Sequence, residues 1–266
     1  MNKLVILAKN SKTYFIHRLM EEADDGQVQL LNPWEIARID STSDPVLVRT
    51  TSIHGSDDDL NFIKNNSLNT IPSLHALKTL RTKPLQFDYF NNMSLPFVPW
   101  ISLQNASEEV IHEFSKLHPG PLLIKPHRGQ GGWGVRVFEN ADNLIEWMNS
   151  TTDHEYLLQP YLGDHKELRI FFMGSEYICL ERIKKGVAAN FKQEGEAKVV
   201  DAPLELKEIV EKMARDLDLV YSAADFLISK NAAYLLEMNL VPGIEQLEAV
   251  TGRNIAKNLI KIFTQP

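Results

Sequence analysis

The sequence predicts a mixed α/β (α+β) protein: a small parallel-sheet domain followed by antiparallel hairpins and helices. Three observations carry this expectation. Lys3 to Ala8, Val28 to Leu31 and Val46 to Arg49 are short apolar runs separated by helical or irregular stretches, the pattern of a small parallel sheet. Later apolar runs come in pairs about short polar or glycine-rich connections, as hairpin strands do. The chain has 266 residues, 44% hydrophobic and 24% charged, an ordinary soluble globular composition with enough length for a well-buried core.

In chain order, Tyr14, Ile16, Leu19, Met20 and Ala23 recur roughly at helical spacing and Gly26 closes that segment. Ser56 with Asp59 resembles a capping box, and Ser73 is positioned to cap a helix running towards Leu80. Prolines at 84, 96 and 99 punctuate the next region, where Phe97 to Trp100 reads as an edge strand or connector. Ser107 caps a helix to about Leu117, and a turn leads into the strand Pro121 to Pro126. The run Arg128-Gly129-Gln130-Gly131-Gly132-Trp133-Gly134 then leads into the strand Val135 to Phe138. Strand, glycine loop and strand make a hairpin, not the strand-to-helix step of a Rossmann or Walker site.

Asn140 to Met148 reads as a helix, Glu155 to Gln159 as a strand, and Glu167 to Met173 with Glu176 to Ile183 as a hairpin about Gly174-Ser175. Lys184 to Ala197 has no clear period and reads as a long loop. Pro203 opens a helix with Leu206, Ile209, Val210, Met213 and Leu217 on one face. A last helix is expected from Thr251 to Phe263, with Ile255, Leu259 and Ile262 inward. The expected divisions are residues 1–80, 81–158 and 159–266.

Charge and composition exclude several classes. With 28 basic against 35 acidic residues, the net charge of -7 gives no footprint for nucleic acid or an anionic membrane. The run Leu4 to Ala8 is too short for a signal peptide's apolar region, and no stretch approaches the ~18 apolar residues of a membrane span. The single cysteine, Cys179, excludes an internal disulfide, fits a reducing cytoplasm, and lies in an apolar run as a buried thiol would. None of the 8 histidines forms a zinc-binding pattern; His127 and His165 read as exposed loop residues.

The most telling stretch is Ala224 to Gly243, which reads as a hairpin about Ser229-Lys230-Asn231. Glu237 and Asn239, two apart on a strand, point the same way. A three-residue loop, Lys230 to Ala232, sets Asp225 opposite Glu237, whereas a two-residue loop sets Leu236 there. With the odd loop, Asp225, Glu237 and Asn239 converge as oxygen ligands suited to Mg²⁺ or Mn²⁺. Upstream, Lys125 ends an apolar run beside Gly129, Gly131 and Gly132, whose bare backbone lets N–H groups approach phosphate oxygens closely. Arg169 and Arg182 end up on adjacent predicted strands, where guanidinium groups can hold transferring oxygens. Asn190 stands open between an oxygen ligand and a turn former, and Trp133 between closing over nucleotide and packing on the loop.

In this order, Lys125, the glycine loop, Gln159-Pro160-Tyr161-Leu162, Glu167-Leu168-Arg169, Arg182, Asn190, Asp225, Glu237-Met238-Asn239 and Pro242-Gly243-Ile244-Glu245 resemble the RimK-type ATP-grasp ligases. The resemblance covers roughly residues 80 to 263, with Thr251 to Ala256 looking like the family's closing helix. It implies an ATP-grasp fold behind an N-terminal α/β pre-ATP-grasp domain. It assigns Lys125 and Lys83 to phosphates, the connector Gln159, Pro160, Tyr161 and Leu162 to adenine, and Glu167 to the nucleotide. Asp225, Glu237 and Asn239 become Mg²⁺ ligands, and Arg169 and Arg182 serve phosphate or acyl phosphate. The implied activity joins a carboxylate to an amine at the expense of ATP. Relatives often form homo-oligomers, though no stretch here reads as an interface.

Two departures stand out. Val187-Ala188-Ala189-Asn190 and Gln193-Glu194-Gly195 replace segments in which the family carries arginines, so a glutamate-adding specificity is not carried over. Two rival expectations keep the fold: a non-catalytic nucleotide-binding or scaffolding protein, and a kinase that stops at a phosphorylated product.

Overall fold

The computed structural model describes residues 3–39, 44–49, 57–129, 132–152, 155–163, 165–182, 196–229 and 232–265. Gly131, Asn190, the cap at Ser56 and the departures at 187–189 and 193–195 lie outside the described residues.

The chain opens with the expected parallel sheet. Strands β1 (Leu4–Ala8), β2 (Val28–Leu31), β3 (Val46–Arg49) and β4 (Thr70–Ile71) lie in the order β2-β1-β3-β4. β1 is buried at every position, as a central parallel strand covered on both faces must be. Its helices are α1 (Tyr14–Glu22), α2 (Asp57–Asn65) and α3 (Leu74–Thr79), and the Ser73 hydroxyl caps α3 by accepting from the Ala76 N–H.

The next helix, α4 (Lys83–Asn92), went unread in the sequence because Pro84 suggested a break. Pro84 sits in the first turn, where a missing N–H costs nothing, and Thr82 caps the end. Then follows an antiparallel sheet of β5 (Ile101–Ser102), β6 (Leu122–Pro126), β7 (Arg136–Phe138) and β8 (Tyr156–Pro160), in the order β5-β8-β6-β7. Helices α5 (Glu108–Leu117) and α6 (Ala141–Asn149), capped by Ser107 and Asn140, pack Ile111, Phe114, Leu144 and Met148 onto it. β6 and β7 form the expected hairpin around the glycine loop.

The third sheet, in the order β11-β10-β9-β12-β13, comprises β9 (Lys166–Met173), β10 (Glu176–Arg182), β11 (Ala197–Val200), β12 (Tyr221–Ser229) and β13 (Ala232–Asn239). β11 falls at the end of the stretch read as loop. It lies at the edge of the sheet, half-buried at its two ends and exposed between them, and four such residues are too few to reveal a strand. Helix α7 (Leu204–Asp216) covers one face with Leu206, Val210 and Met213 against Leu168, Ile170, Ala224 and Phe226.

The opposite face divides lengthwise. One half, Phe171, Met173, Ile178, Leu180, Tyr221 and Ala223, packs against α1 and the carboxy-terminal helices. The other half carries polar residues and forms the floor of a cleft. The closing helix expected from Thr251 begins later, as α9 (Ile255–Thr264), and a short helix not read in the sequence, α8 (Glu245–Thr251), precedes it. Gly252, at φ 65, ends α8 in the left-handed region, and Asn254 caps α9. Ile255 and Leu259 point inward as expected; Ile262 is only partly buried, and Ile260 and Phe263 complete the apolar face. Glu248 of α8 accepts from the Tyr14 hydroxyl at 2.8 Å, Arg18 Nε at 3.0 Å and the Ala256 N–H at 3.1 Å, tying the first helix to the last two. Among the described residues no helix is long and apolar enough to cross a membrane.

Candidate active site

The site begins with a question of register. Ser229 pairs with Ala232, so the hairpin loop is not the three residues expected, and only positions 230 and 231, outside the described residues, separate the strands. An uninterrupted ladder from such a turn would bring Leu236 opposite Asp225. A β-bulge intervenes: Phe226 pairs with Leu235, Asp225 pairs with Glu237, and Leu236 is the extra residue. The convergence of Asp225 and Glu237 therefore stands, but the bulge produces it. Leu235 and Met238, three apart, consequently share the α7 side of the sheet, and Leu236 joins Glu237 on the cleft wall.

Residues remote in sequence hold the bulged strand. β13 is an edge strand, so its outward N–H groups need partners. The Leu235 N–H donates to the Pro96 carbonyl at 2.8 Å, and the Met238 N–H to Oε1 of Gln86 at 3.1 Å. Gln86 is a buried residue of α4 whose amide nitrogen donates in turn to the Leu80 carbonyl. Pattern reading missed Gln86, because a lone glutamine on a helix carries no signal of its partner.

Asp225 lies at the centre of a charged cluster. Arg169, its neighbour on β9, donates from Nε and Nη2 to the two carboxylate oxygens, each at 2.5 Å, and Nδ2 of Asn239 donates to Oδ2 at 3.2 Å. Burial alone would push the Asp225 carboxyl up, but the Arg169 guanidinium outweighs it and holds the group below the usual carboxylate range. For Arg182, burial lowers the guanidinium's pKa, opposed by the Asp225 charge. It lines the cleft with Asp225, Glu237 and Glu167, whereas Arg169 and Asn239 touch Asp225 from outside the wall.

The opposite wall comes from β6, its glycine loop and the start of α4. Lys83, Lys125, Gly129, Gly132 and Trp133 line it, and Lys83 Nζ donates to the Gly129 carbonyl at 3.1 Å. A Cβ on Gly134, at φ +75, would come within 2.7 Å of Pro126 Cγ, so this turn of the loop admits only glycine. Trp133 is 70% exposed at the tip.

Gln159, Pro160, Tyr161 and Leu162 close the inner end with Leu227 and Leu236. Gln159 is buried and its amide donates to the Val98 carbonyl at 3.3 Å, while the Tyr161 N–H donates to the Pro121 carbonyl. His165 and His127 are not exposed loop residues. His165 sits with Nδ1 2.5 Å from the Gly163 carbonyl and Nε2 3.8 Å from Glu167, and His127 is half-buried against Ser102.

The cleft thus has cationic side chains and glycine backbone on one wall and carboxylates on the other. A polyphosphate held by the lysines would be repelled by Asp225 and Glu237 unless a hard cation lay between them. Two carboxylates and a carboxamide on one strand pair are the donor set such an ion takes, so these residues fit Mg²⁺. Among the described residues, no three His, Cys, Asp or Glu side chains form a metal cage.

Residues 88–263 match the model of the RimK-like ATP-grasp domain. The chain belongs to the RimK-like ATP-grasp family. Over 97% of its own length and 97% of the relative's, it is 26% identical to a Histophilus somni protein named "Probable alpha-L-glutamate ligase". Two solved structures share the ATP-grasp fold. The D-alanine–D-alanine ligase from Bacillus anthracis complexed with ATP superposes with a TM-score of 0.75 at 17% identity, covering 99% of this chain and 96% of that one. A Chryseobacterium gregarium RiPP-associated ATP-grasp ligase, in complex with ADP and a leader and core peptide, gives 0.74 at 15% identity, covering 100% and 98%. The RimK-like ATP-grasp chain described here is accordingly a member of a ligase family that forms C–N bonds with release of ADP.

Proposed function

We propose that this protein is an ATP- and Mg²⁺-dependent carboxylate–amine ligase acting through an acyl phosphate, attaching an amino acid to a peptide, protein or small-molecule acceptor. The observation that carries the reading is the pairing of Asp225 with Glu237 across the cleft from Lys83, Lys125 and the glycine loop. Lys83 and Lys125 would hold phosphate oxygens, the connector Gln159 to Leu162 with Leu227 and Leu236 would enclose the base, and Glu167 would meet the ribose. Asp225, Glu237 and Asn239 would hold the divalent ion, which when bound neutralises phosphate charge. Arg182, half-buried and on the cleft wall, would meet the charge that develops on the transferred group. Arg169 holds Asp225 in place and would act on phosphate through it.

The chemistry needs no protein nucleophile. A substrate carboxylate oxygen attacks the γ-phosphorus and ADP leaves; the amine nitrogen then attacks the acyl carbon, losing a proton as phosphate departs. Cys179, buried and with its thiol pushed up to about 11, is no candidate nucleophile, and a free thiol of this kind suits a reducing compartment such as the cytoplasm.

The test is ATP turnover by the purified protein across a panel of acids and amines. ADP and phosphate should appear only when both co-substrates are present, and hydroxylamine should trap an acyl hydroxamate when the amine is left out. Phosphorylated product without any need for amine would indicate a kinase. Nucleotide binding with no turnover anywhere on the panel would indicate a non-catalytic role.

A further inference from the structure

Two donors from distant parts of the chain meet at the turn that follows Asn239. Arg49, the last residue of β3, donates from Nη1 to the Val241 carbonyl at 2.8 Å. Tyr221, the first residue of β12, donates its hydroxyl to the next carbonyl, that of Pro242, at 2.9 Å. Phe15 of α1 stands between the two donors. The Arg49 guanidinium carbon lies 4.3 Å over its ring, and the ring stacks on Tyr221 with centroids 6.2 Å apart and planes within 18°.

Packing alone does not account for a guanidinium here. Among the described residues, Nε of Arg49 is buried without a hydrogen-bond partner, and the charged state is disfavoured by burial with only the Tyr221 phenol acting against it. Withdrawing a guanidinium from water without a counter-charge is destabilising, and a methionine could cover Phe15 without that cost. What methionine cannot do is donate to the Val241 carbonyl. That carbonyl is two residues beyond Asn239, and the intervening Leu240 is fully buried, so its position is passed to Asn239 with little slack.

We propose that Arg49 is a positioning residue for the divalent-cation site: with Tyr221 it pins the turn after β13, and thereby fixes how Glu237 and Asn239 face Asp225. The amino-terminal sheet thus sets the geometry of the cleft floor without touching nucleotide or acid. This inference rests on the reading of Asp225, Glu237 and Asn239 as ligands to the ion.

The experiment uses Mn²⁺ as the probe, titrated with ADP into the full-length protein and followed by electron paramagnetic resonance. Alongside it, ADP binding without metal is measured by calorimetry. Arg49→Met and Tyr221→Phe should each weaken Mn²⁺ binding at least fivefold while metal-free ADP binding stays within twofold of wild type. Arg49→Lys should recover part of the loss, because an ammonium can still donate to the Val241 carbonyl. A purely structural role would lower the melting temperature and leave Mn²⁺ affinity unchanged. Wild-type Mn²⁺ affinity in Arg49→Met and Tyr221→Phe would therefore overturn the proposal. If Arg49→Met does not fold, the same result in Tyr221→Phe and Arg49→Lys overturns it. Failure of the wild-type protein itself to bind Mn²⁺ with ADP would overturn the reading of the ion site first, and this one with it.

Discussion

Arg169 grips Asp225 with two parallel hydrogen bonds of 2.5 Å from adjacent strands, at the point where the cleft floor meets the sheet core. Both side chains are mostly shielded, at 17% and 15% exposure, so neither charge can fall back on water if its partner is removed.

Removing the guanidinium should therefore both weaken the fold and reverse a pH dependence. In the wild type Asp225 has a depressed pKa, so its contribution is present above the unfolded value of about 3.9 and is lost as the pH falls through the lower folded value. In Arg169→Met the burial that opposes ionisation loses its main counterweight, the folded pKa rises, and the group stabilises the fold increasingly as the pH drops. Urea denaturation from pH 3 to 8 should show wild-type stability falling below about pH 4. The variant should be about 3 kcal/mol less stable at neutral pH, with the gap narrowing as acid is added. Parallel pH profiles for the two proteins would contradict this account.

Charge and shape can be separated at the proposed ion site. Glu237→Gln keeps the volume and the bulge but removes one carboxylate, and should reduce ligase turnover at least a hundredfold, or about 2.7 kcal/mol of barrier. Lys125→Met should raise the KM for ATP about tenfold. Steady-state kinetics with varied ATP and Mg²⁺ distinguish the two, since only the glutamate variant should shift the metal dependence.

Leu236 owes its position on the cleft wall to the bulge, and Leu236→Ala tests what it does there. The strand pairing either side is backbone-held, so the melting temperature should move little. Affinity for ADP should fall by roughly 1–2 kcal/mol, the amount expected for removing an apolar side chain from a buried contact. Calorimetric titration with ADP provides the number, and unchanged affinity would mean the base lies elsewhere.

Gly134→Ala adds a methyl group 2.7 Å from Pro126 Cγ at a positive φ, and Gly26→Ala adds one at φ +72 with nothing within 4 Å. The second variant should lose about 1 kcal/mol from backbone strain alone. The first should lose about 2 kcal/mol or more and shift the glycine loop, weakening ADP binding as well. Thermal melts and ADP titrations of both variants separate strain from crowding.

What could be read from the sequence follows from how local each signal is. Glu237 and Asn239 were legible because a strand's period of two is written in consecutive residues, and the caps at Ser73 and Ser107 because each acts within its own first turn. The turn length was misjudged because what corrects the register, a bulge at Leu236, is held by the Pro96 carbonyl and the Gln86 side chain. Both are more than a hundred residues away and announce nothing locally. Pro84 misled for a related reason: a proline reads as a breaker or a starter depending on whether a cap stands just ahead of it, here Thr82 two residues earlier. His165 is shielded by its approach to the Gly163 carbonyl and by Glu167, a fold-back that a turn-forming stretch does not advertise.

The bonds from Glu248 to Tyr14 and Arg18 join residues separated by 234 and 230 positions. During synthesis the first helix leaves the ribosome long before α8 exists, so these contacts form only once α8 has been made. Folding of this enzyme thus closes a loop of 234 positions, across which the first helix gains some of its partners late.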